Sequence, residues 1–438
     1  MKIREAALSL LNEWEAEGKY INLALSSHIL DSFKREDKAA LTALLYTTVE
    51  NKIKYDYYIG ALAKRSTEKL SKKVLNILRL GLCQIDDMDK IPDFAAVNES
   101  VSLGSNKGER AIINAVLRAA VRAKAEGGLP LPPYEKNPAR YYSVKYSFPL
   151  WIVKKLIAQF GEDEAKLLFL AFSENPPLDI SVNTLKIKTD ELLSELLKRG
   201  ALAKKSEIAE DSICILSKGD PTQLYGFSEG YFFIQDEASA LAVRALSPKR
   251  GDFLIDVCSA PGGKSFLSAV LMENEGKVLS FDIHESKISL ITSGAARLGL
   301  DCICADACDA KEPREELFGK ADKLIVDAPC SGLGVISKKS DLKYKDEKSV
   351  EALPCLQLEI LEASVKYLKR GGELLYSTCT LIEEENSGVV SEFLKRNPEF
   401  SPVDFELGEI KSKNGAVTLY PHVHGTDGFF IARMRKSL

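Results

Sequence analysis

"LIDVCSAPGGKSFLSAVLM", Leu254 to Met272, reads as a buried-type strand, a glycine turn and a helix. Gly262 and Gly263 let a backbone come close to a ligand, and the N-terminus of the following helix offers free N–H groups. The dinucleotide fingerprint G-x-G-x-x-G is not met, because only two adjacent glycines stand there, with Pro261 ahead of them. Asp282 ends the next strand, where an acidic residue of this fold class binds ribose hydroxyls. The pattern therefore points to a nucleoside cofactor rather than one carrying a pyrophosphate. Two glycines alone would as readily make a tight structural connection. The strand context and Asp282 together weigh against that reading.

The same pattern repeats outward from this stretch. "FLIDVCSA", "KVLSFDI", "CICADAC", "KLIVDAP" and "ELLYSTCT" are apolar strands, and the first four are each followed by a helical or loop-helix segment. Strands alternating with helices imply a parallel sheet covered on both faces. "VTLYP" and "GFFIARMR" close the chain with too little between them for a crossover helix, so an antiparallel edge is expected. The sheet domain is placed at 239–438. Before it, 141–238 mixes the helices "PLWIVKKLIAQFG" and "EDEAKLLFLAFS" with the short strands "LDISVNTLK", "CILSKG" and "YFFIQD", a small α+β region. Residues 1–128 show only i, i+3, i+4, i+7 spacing, as in "AALSLLNEW", "LTALLYTTV" and "AIINAVLRAAVRA", and predict an all-helical bundle. "EGGLPLPPYEKNP" carries two glycines and four prolines, cannot continue a helix, and sets a linker at 129–140.

Bulk properties exclude several classes. A chain of 438 residues with 45% apolar and 28% charged residues is an ordinary multidomain globular protein. No apolar run approaches the ~20 residues of a membrane helix. Glu5, Glu13 and Glu15 break any signal-peptide pattern, so a cytoplasmic protein with no membrane partner is expected. Nine cysteines, an odd number, argue for reduced thiols rather than a disulfide framework. The net charge of −4 does not suit non-specific coating of nucleic acid, although a local basic face would suffice for RNA.

Three residues stand where the sheet should place chemistry. "VDAPCSGLG" holds Asp327 and Cys330, and "LLYSTCTLIEEEN" holds Cys379. Neighbouring strand ends meet at one crevice, which brings two thiols and a carboxylate to the cofactor turn. Either cysteine alone would be read as a small buried hydrophobe. Cys302, Cys304 and Cys308 lack the paired spacing and fourth ligand of a zinc site, and they are read as packing. His422 and His424 in "HVHG" are placed in a loop, and no metal is expected.

These motifs in this order resemble the RNA cytosine-5 methyltransferases. "DVCSAPGGK", "FDIHESK", "VDAPCSGLGVISKKSDLKY", "LLYSTCTLIEEEN" and "LYPHVHGTDGFFIARMRK" carry that likeness. "RLGLCQIDDMDKIPDFAAVNESVSLG" and "IINAVLRAAVR" resemble a NusB-type RNA-binding domain, and "SVNTLK" and "FFIQDEASALAVRAL" resemble the middle region of one branch, the 16S rRNA cytosine-5 methyltransferase B family. The resemblance covers nearly the whole chain. It implies S-adenosylmethionine as cofactor and a Rossmann-like, mostly parallel sheet of seven strands. It implies a cofactor loop of Cys258, Ser259, Ala260, Pro261, Gly262, Gly263 and Lys264, with Asp282 on the ribose and Asp309 facing the adenine. Asp306 is the alternative to Asp309. Asp327 could also touch the cofactor.

The resemblance further gives the attack on cytosine C6 to Cys379, the N3 edge to Asp327 and product release to Cys330. Thiolate addition turns the weakly nucleophilic C5 into an enamine-like carbon. For its N3 contact Asp327 must be partly protonated, or the base must arrive protonated. Lys264 is a candidate for lowering a nearby thiol pKa. Lys338, Lys339, Lys343 and Tyr344 form a basic loop suited to phosphates and base stacking, or else a solvated charge run. The implied substrate is a cytosine of small-subunit (16S) rRNA, position 967 in the usual numbering, met as naked RNA or early in assembly by a monomer. A tRNA cytosine-5 methyltransferase and a non-catalytic RNA-binding assembly factor are the alternatives. Ser181, Ser337, Ser340 and Lys311 depart from the family pattern and bear on the RNA contacts.

Overall fold

The structure is a computed structural model that describes residues 3–17, 33–63, 67–174, 176–217 and 219–438. It divides into two compact units, residues 1–173 with 339–344, and 174–338 with 345–438.

The first unit is helical throughout its described residues. Its central helix, Lys72–Asp86, starts where Ser71 Oγ accepts from Val74 N–H, a standard N-cap. Ile77, Leu78, Leu80, Leu82, Cys83 and Ile85 are buried along it, so it is apolar nearly all round, as a core helix must be. Arg79 is buried there too. Its guanidinium pairs with Asp56 at 2.6 Å and Glu15 at 2.7 Å, which compensates its burial. Ile3–Glu17, Arg35–Glu50 and Lys107–Ala125 pack around it.

The helices Pro138–Lys145, Leu150–Phe160 and Glu162–Phe172 belong to this compact unit. The physical reason is local. Ser147 Oγ accepts from Ile53 N–H at 3.1 Å, and Tyr142, Tyr146, Phe148 and Phe169 form one aromatic cluster. An extended proline-rich segment connects elements without separating what they pack against.

The second unit carries two main sheets. The smaller one runs β2-β3-β1-β4, all antiparallel, from β1 (Leu178–Val182), β2 (Ala203–Lys205), β3 (Ser212–Ile215) and β4 (Phe232–Ile234). Leu192 and Leu196 of the helix Thr189–Lys198 share its core with Ile180, Val182 and Ile213. β2 carries no apolar pattern, being Ala-Lys-Lys, and escaped the sequence reading.

The larger sheet comprises β5 (Phe253–Asp256), β6 (Lys277–Asp282), β7 (Ile303–Ala307), β8 (Ala321–Asp327), β9 (Leu368–Thr378), β10 (Phe400–Pro402), β13 (Ala416–Leu419) and β14 (Phe429–Lys436). Its order is β10-β14-β9-β8-β5-β6-β7, with β13 also on β14. β11 (Glu406–Leu407) and β12 (Ile410–Lys411) form a separate hairpin. The five strands β5 to β9 are parallel to their neighbours, and β14 is antiparallel to β9. The sheet thus has eight strands, and β14 lies inside it with β10 and β13 beyond. Side chains alternate between its two faces. Leu254, Ile325, Leu375 and Ile431 enter one core, and Ile255, Leu324, Leu374, Tyr376 and Ala432 the other. From β5 the chain goes first to β6 and β7 on one side, then returns to β8 and β9 on the other. The carboxyl ends of β5 and β8 therefore flank the topological switch point, where such sheets bind ligands.

Candidate active site

The turn after β5 is built for close approach. Gly262 has φ +113°, and a Cβ there would lie 2.4 Å from the Phe266 ring, so only glycine fits. The helix Gly263–Leu271 starts at Gly262 without a side-chain cap, which leaves its first N–H groups to a ligand. Gln235 is buried, and its Nε2 has no hydrogen-bond partner. A Cβ on Gly263 would lie 3.5 Å from that Nε2, so a spare donor sits at the turn. Asp282 Oδ2 accepts from Ala260 N–H at 3.3 Å, tying the end of β6 to the turn. Asp309 is half-buried just beyond β7, its Oδ1 accepting from Lys311 N–H at 2.9 Å. Asp306 is exposed within β7 and is taken by Arg314 at 2.6 Å.

The carboxylates Asp256, Asp327, Asp282 and Asp309 all surround Cys258. Its burial, and then those charges, push the thiol up and keep it protonated. Asp256 is itself pushed up to about 7 by complete burial, and Ser265 Oγ donates to it at 2.7 Å. A cradle of free N–H groups, an orphaned amide donor and carboxylates at successive strand ends suits a nucleoside with an amino-acid tail.

On the other side of the switch point, β8 ends at Asp327, whose register partner in β9 is Ser377. That pairing lets Ser377 Oγ donate to Asp327 Oδ1 at 2.7 Å, while Lys264 Nζ donates to Oδ2 at 2.7 Å. Lys264, 8% exposed, is thereby committed to a carboxylate, and the expectation that it acidifies a thiol is replaced by this ion pair. A buried ammonium needs an anionic partner more than a thiol needs a cation.

Cys330 and Cys379 come together with their Sγ atoms 3.3 Å apart. Both are partly accessible. The Cys379 neighbour, the Cys330 loop and the C-terminal loop are locked by short backbone contacts. Gly334 N–H donates to Cys379 O, and Gly428 N–H donates to Gly334 O, each at 2.9 Å. A Cβ on Gly334 would stand 1.9 Å from Gly428 O.

The sulfur contact, then burial, then the charges of Cys379, Glu385 and Asp327 push the Cys330 thiol well up. That environment disfavours a thiolate on Cys330, and either sulfur can be the donor across the contact. Glu385 and Asn386 follow Cys379 closely in the chain, and no motif in the sequence marks their role. Asn386 Nδ2 donates to Thr380 O at 2.9 Å and its Oδ1 accepts from the Thr378 hydroxyl, so it holds both neighbours of Cys379.

The basic loop is mostly turned inward. Lys343 is 1% exposed and donates to Glu50 O, and Tyr344 donates to Val49 O at 2.7 Å and packs edge-on against Trp14. Lys338 sits among Asp179, Asp236 and Asp427. Protein contacts thus occupy three of the four proposed RNA residues, and Lys339 is the exposed one. Of the departures, Ser181 Oγ donates to Gln235 Oε1 at 2.8 Å, and Ser340 is buried. Cys302 and Cys308 pack against the two cores as expected, whereas Cys304 is exposed on β7, the edge strand. His424 lies in a short helix, Pro421–His424, with its Nδ1 accepting from Tyr420 N–H.

The chain is similar to known proteins. Three family models match: the NusB family over 1–122, the RsmF/B-like ferredoxin-like domain over 148–221, and the 16S rRNA methyltransferase RsmB/F over 243–435. The "Probable ribosomal RNA small subunit methyltransferase B" of Bacillus subtilis is 37% identical, over 99% of this chain and 98% of its own. The protein belongs to the ribosomal RNA small subunit methyltransferase B family. Its Vibrio cholerae relative, "Ribosomal RNA small subunit methyltransferase B", is 31% identical over 100% of this chain and 98% of its own. A solved structure named "Crystal Structure of PH0851" superposes with a TM-score of 0.79 at 27% identity, covering 95% of this chain and 94% of that one. For this family the three-part organisation of helical, ferredoxin-like and methyltransferase domains follows directly.

Proposed function

We propose that the protein methylates C5 of a cytosine in small-subunit rRNA, position 967 in the usual 16S numbering, with S-adenosylmethionine as donor. The observation that carries this is the pair of thiols, Cys330 and Cys379, facing each other at 3.3 Å beside the Lys264–Asp327 pair. The names of the full-length relatives carry the choice of small-subunit rRNA.

S-adenosylmethionine, when bound, supplies the methyl group. The turn Cys258–Lys264 with Gln235 would hold its amino-acid end and Asp282 its ribose, and Asp309 would face the adenine. The cytosine N3 takes up a solvent proton as charge builds on the ring and gives it back on release, and Asp327, backed by the Lys264 ammonium, accepts a hydrogen bond from that N3–H. Cys379 adds as thiolate to C6, and the C5–C6 electrons move to C5, the carbon that receives the methyl group. Release then reverses the addition. The C5 proton leaves to solvent, its electron pair restores C5=C6, and the C6–S pair returns to Cys379. Cys330 S–H is placed to hydrogen-bond to that departing thiolate, which makes it a better leaving group. The target base must be unstacked to reach the thiols.

The test is incubation of naked small-subunit rRNA with labelled cofactor, followed by mapping of the modified base. A single labelled cytosine bearing the methyl on C5 is expected. Label on another base, or on tRNA alone, contradicts the reading.

A further inference from the structure

Glu385 is fully buried between the two thiol loops and takes no part in the mechanism above. Its Oε2 accepts from Ser331 N–H at 2.8 Å, the residue after Cys330. Its Oε1 accepts from the Thr380 hydroxyl at 3.4 Å, the residue after Cys379. Ser331 Oγ and Thr380 Oγ1 close the ring at 2.7 Å. Gln357 Nε2 donates both to Glu385 Oε2 at 2.9 Å and to Pro329 O at 3.0 Å, on the other flank of Cys330. Three donors thus converge on the carboxylate; burial pushes its pKa up, and the hydrogen bonds from Ser331 and Gln357 and the nearby Lys345 charge work against that and favour the ionised form.

We propose that Glu385 is a positioning residue: a buried carboxylate that clamps the Cys330 and Cys379 loops in register and keeps the S–H on Cys330, aimed at the Cys379 sulfur. The inference rests on the reading of Cys379 as nucleophile and Cys330 as release thiol. Two features make the clamp more than packing. It reaches the residue immediately after each thiol, so a change at Glu385 alters the S–S approach rather than one loop alone. Its charge also lies beside Cys330, where a negative group disfavours a thiolate, and burial weakens the screening of that effect. The other charged group at this loop, Lys345, donates to Cys330 O and Ser331 O at 3.0 and 2.9 Å, so its ammonium is held by main-chain carbonyls. Asp327 lies on the cofactor side and is paired with Lys264.

Glu385→Gln keeps the size and one acceptor but removes the charge. The first readout is the pH profile of Cys330 alkylation by iodoacetamide in the free enzyme, followed by peptide mass spectrometry. The variant should alkylate Cys330 with a profile moved about one unit to lower pH, which is about tenfold faster at a given pH. The second is the lifetime of the covalent enzyme–rRNA adduct from pH 7 to 9, expected to lengthen with pH in the variant only. Should Glu385→Gln not fold, Thr380→Val removes the hydroxyl link at constant shape, and a shift in the same direction is expected. A profile and adduct lifetime that stay at the parent values, with only a lower Tm, overturn the proposal and leave Glu385 a packing residue. A shifted thiol profile with no adduct in any variant, Cys330→Ala included, supports the clamp and overturns the nucleophile reading instead.

Discussion

Cys330 Sγ and Cys379 Sγ lie 3.3 Å apart in contact, with Cys330 in the loop after β8 and Cys379 in the loop after β9. Two thiols held that close, both partly accessible, should be joined by a mild two-electron oxidant. Hydrogen peroxide takes two electrons and two protons from the pair, giving a disulfide and two waters. Substoichiometric peroxide should therefore inactivate the enzyme, with a Cys330–Cys379 linked peptide in the mass spectrum and recovery by dithiothreitol. Irreversible loss, with sulfinic acid on Cys379 instead, would show that the loops do not allow the bond.

Lys264 is predicted to serve the base-binding carboxylate. Lys264→Met leaves Asp327 with Ser377 alone, so single-turnover methylation should fall by roughly 10²-fold, the usual cost of one electrostatic contact to a developing charge. In a double-mutant cycle with Asp327→Asn the two losses should be far from additive. Additive losses would place Lys264 elsewhere in the mechanism.

Gly334 should tolerate no side chain. Gly334→Ala puts a methyl group 1.9 Å from Gly428 O and 2.9 Å from Cys379 O, so the loops carrying the thiol must part. Methyl transfer should drop by at least about 10²-fold, as misplacement by about an ångström does, while the helical unit keeps its circular dichroism. Near-normal turnover would show that the Cys379 loop is free to move.

Lys343 gives a pH signature in the helical unit. Burial pushes its ammonium down to about 7, against the usual ~10.4 in an unfolded chain. The unfolded chain then binds more protons over that window, so this residue's contribution to stability rises with pH from about 7 to about 10 and levels off below. Lys343→Met should remove that slope and raise stability at pH 7, on the order of 2 kcal/mol, read from urea titrations across pH. An unchanged slope would mean that the ammonium finds a counter-charge.

Much of the fold was legible because strand ends and chemistry coincide. β5, β6, β8 and β9 each end in the motif that names the site, and apolar runs bounded by turn residues mark them plainly. The turn at Gly262 and the meeting of Cys330 with Cys379 followed from topology. Three things were not legible. β2 and β10 are three residues each, too short for a period to show. The lysines of 338–343 read as a loop facing RNA phosphates, because a charge run carries no mark of which members turn inward; Lys343 does so onto a backbone carbonyl. Glu385 and Asn386 stood in plain view beside Cys379, but a buried carboxylate is recognised by the N–H groups that reach it, and those come from residue 331 and residue 357, far off in the chain.

The central claim is that Cys379 attacks and Cys330 releases. It is tested most directly by Cys330→Ala incubated with small-subunit rRNA and S-adenosylmethionine, followed by nuclease and protease digestion and mass spectrometry of the cross-linked peptide. The account predicts a stable adduct of methylated cytidine on Cys379, absent from Cys379→Ala. An adduct on another residue, or methylation that persists in Cys379→Ala, would contradict it.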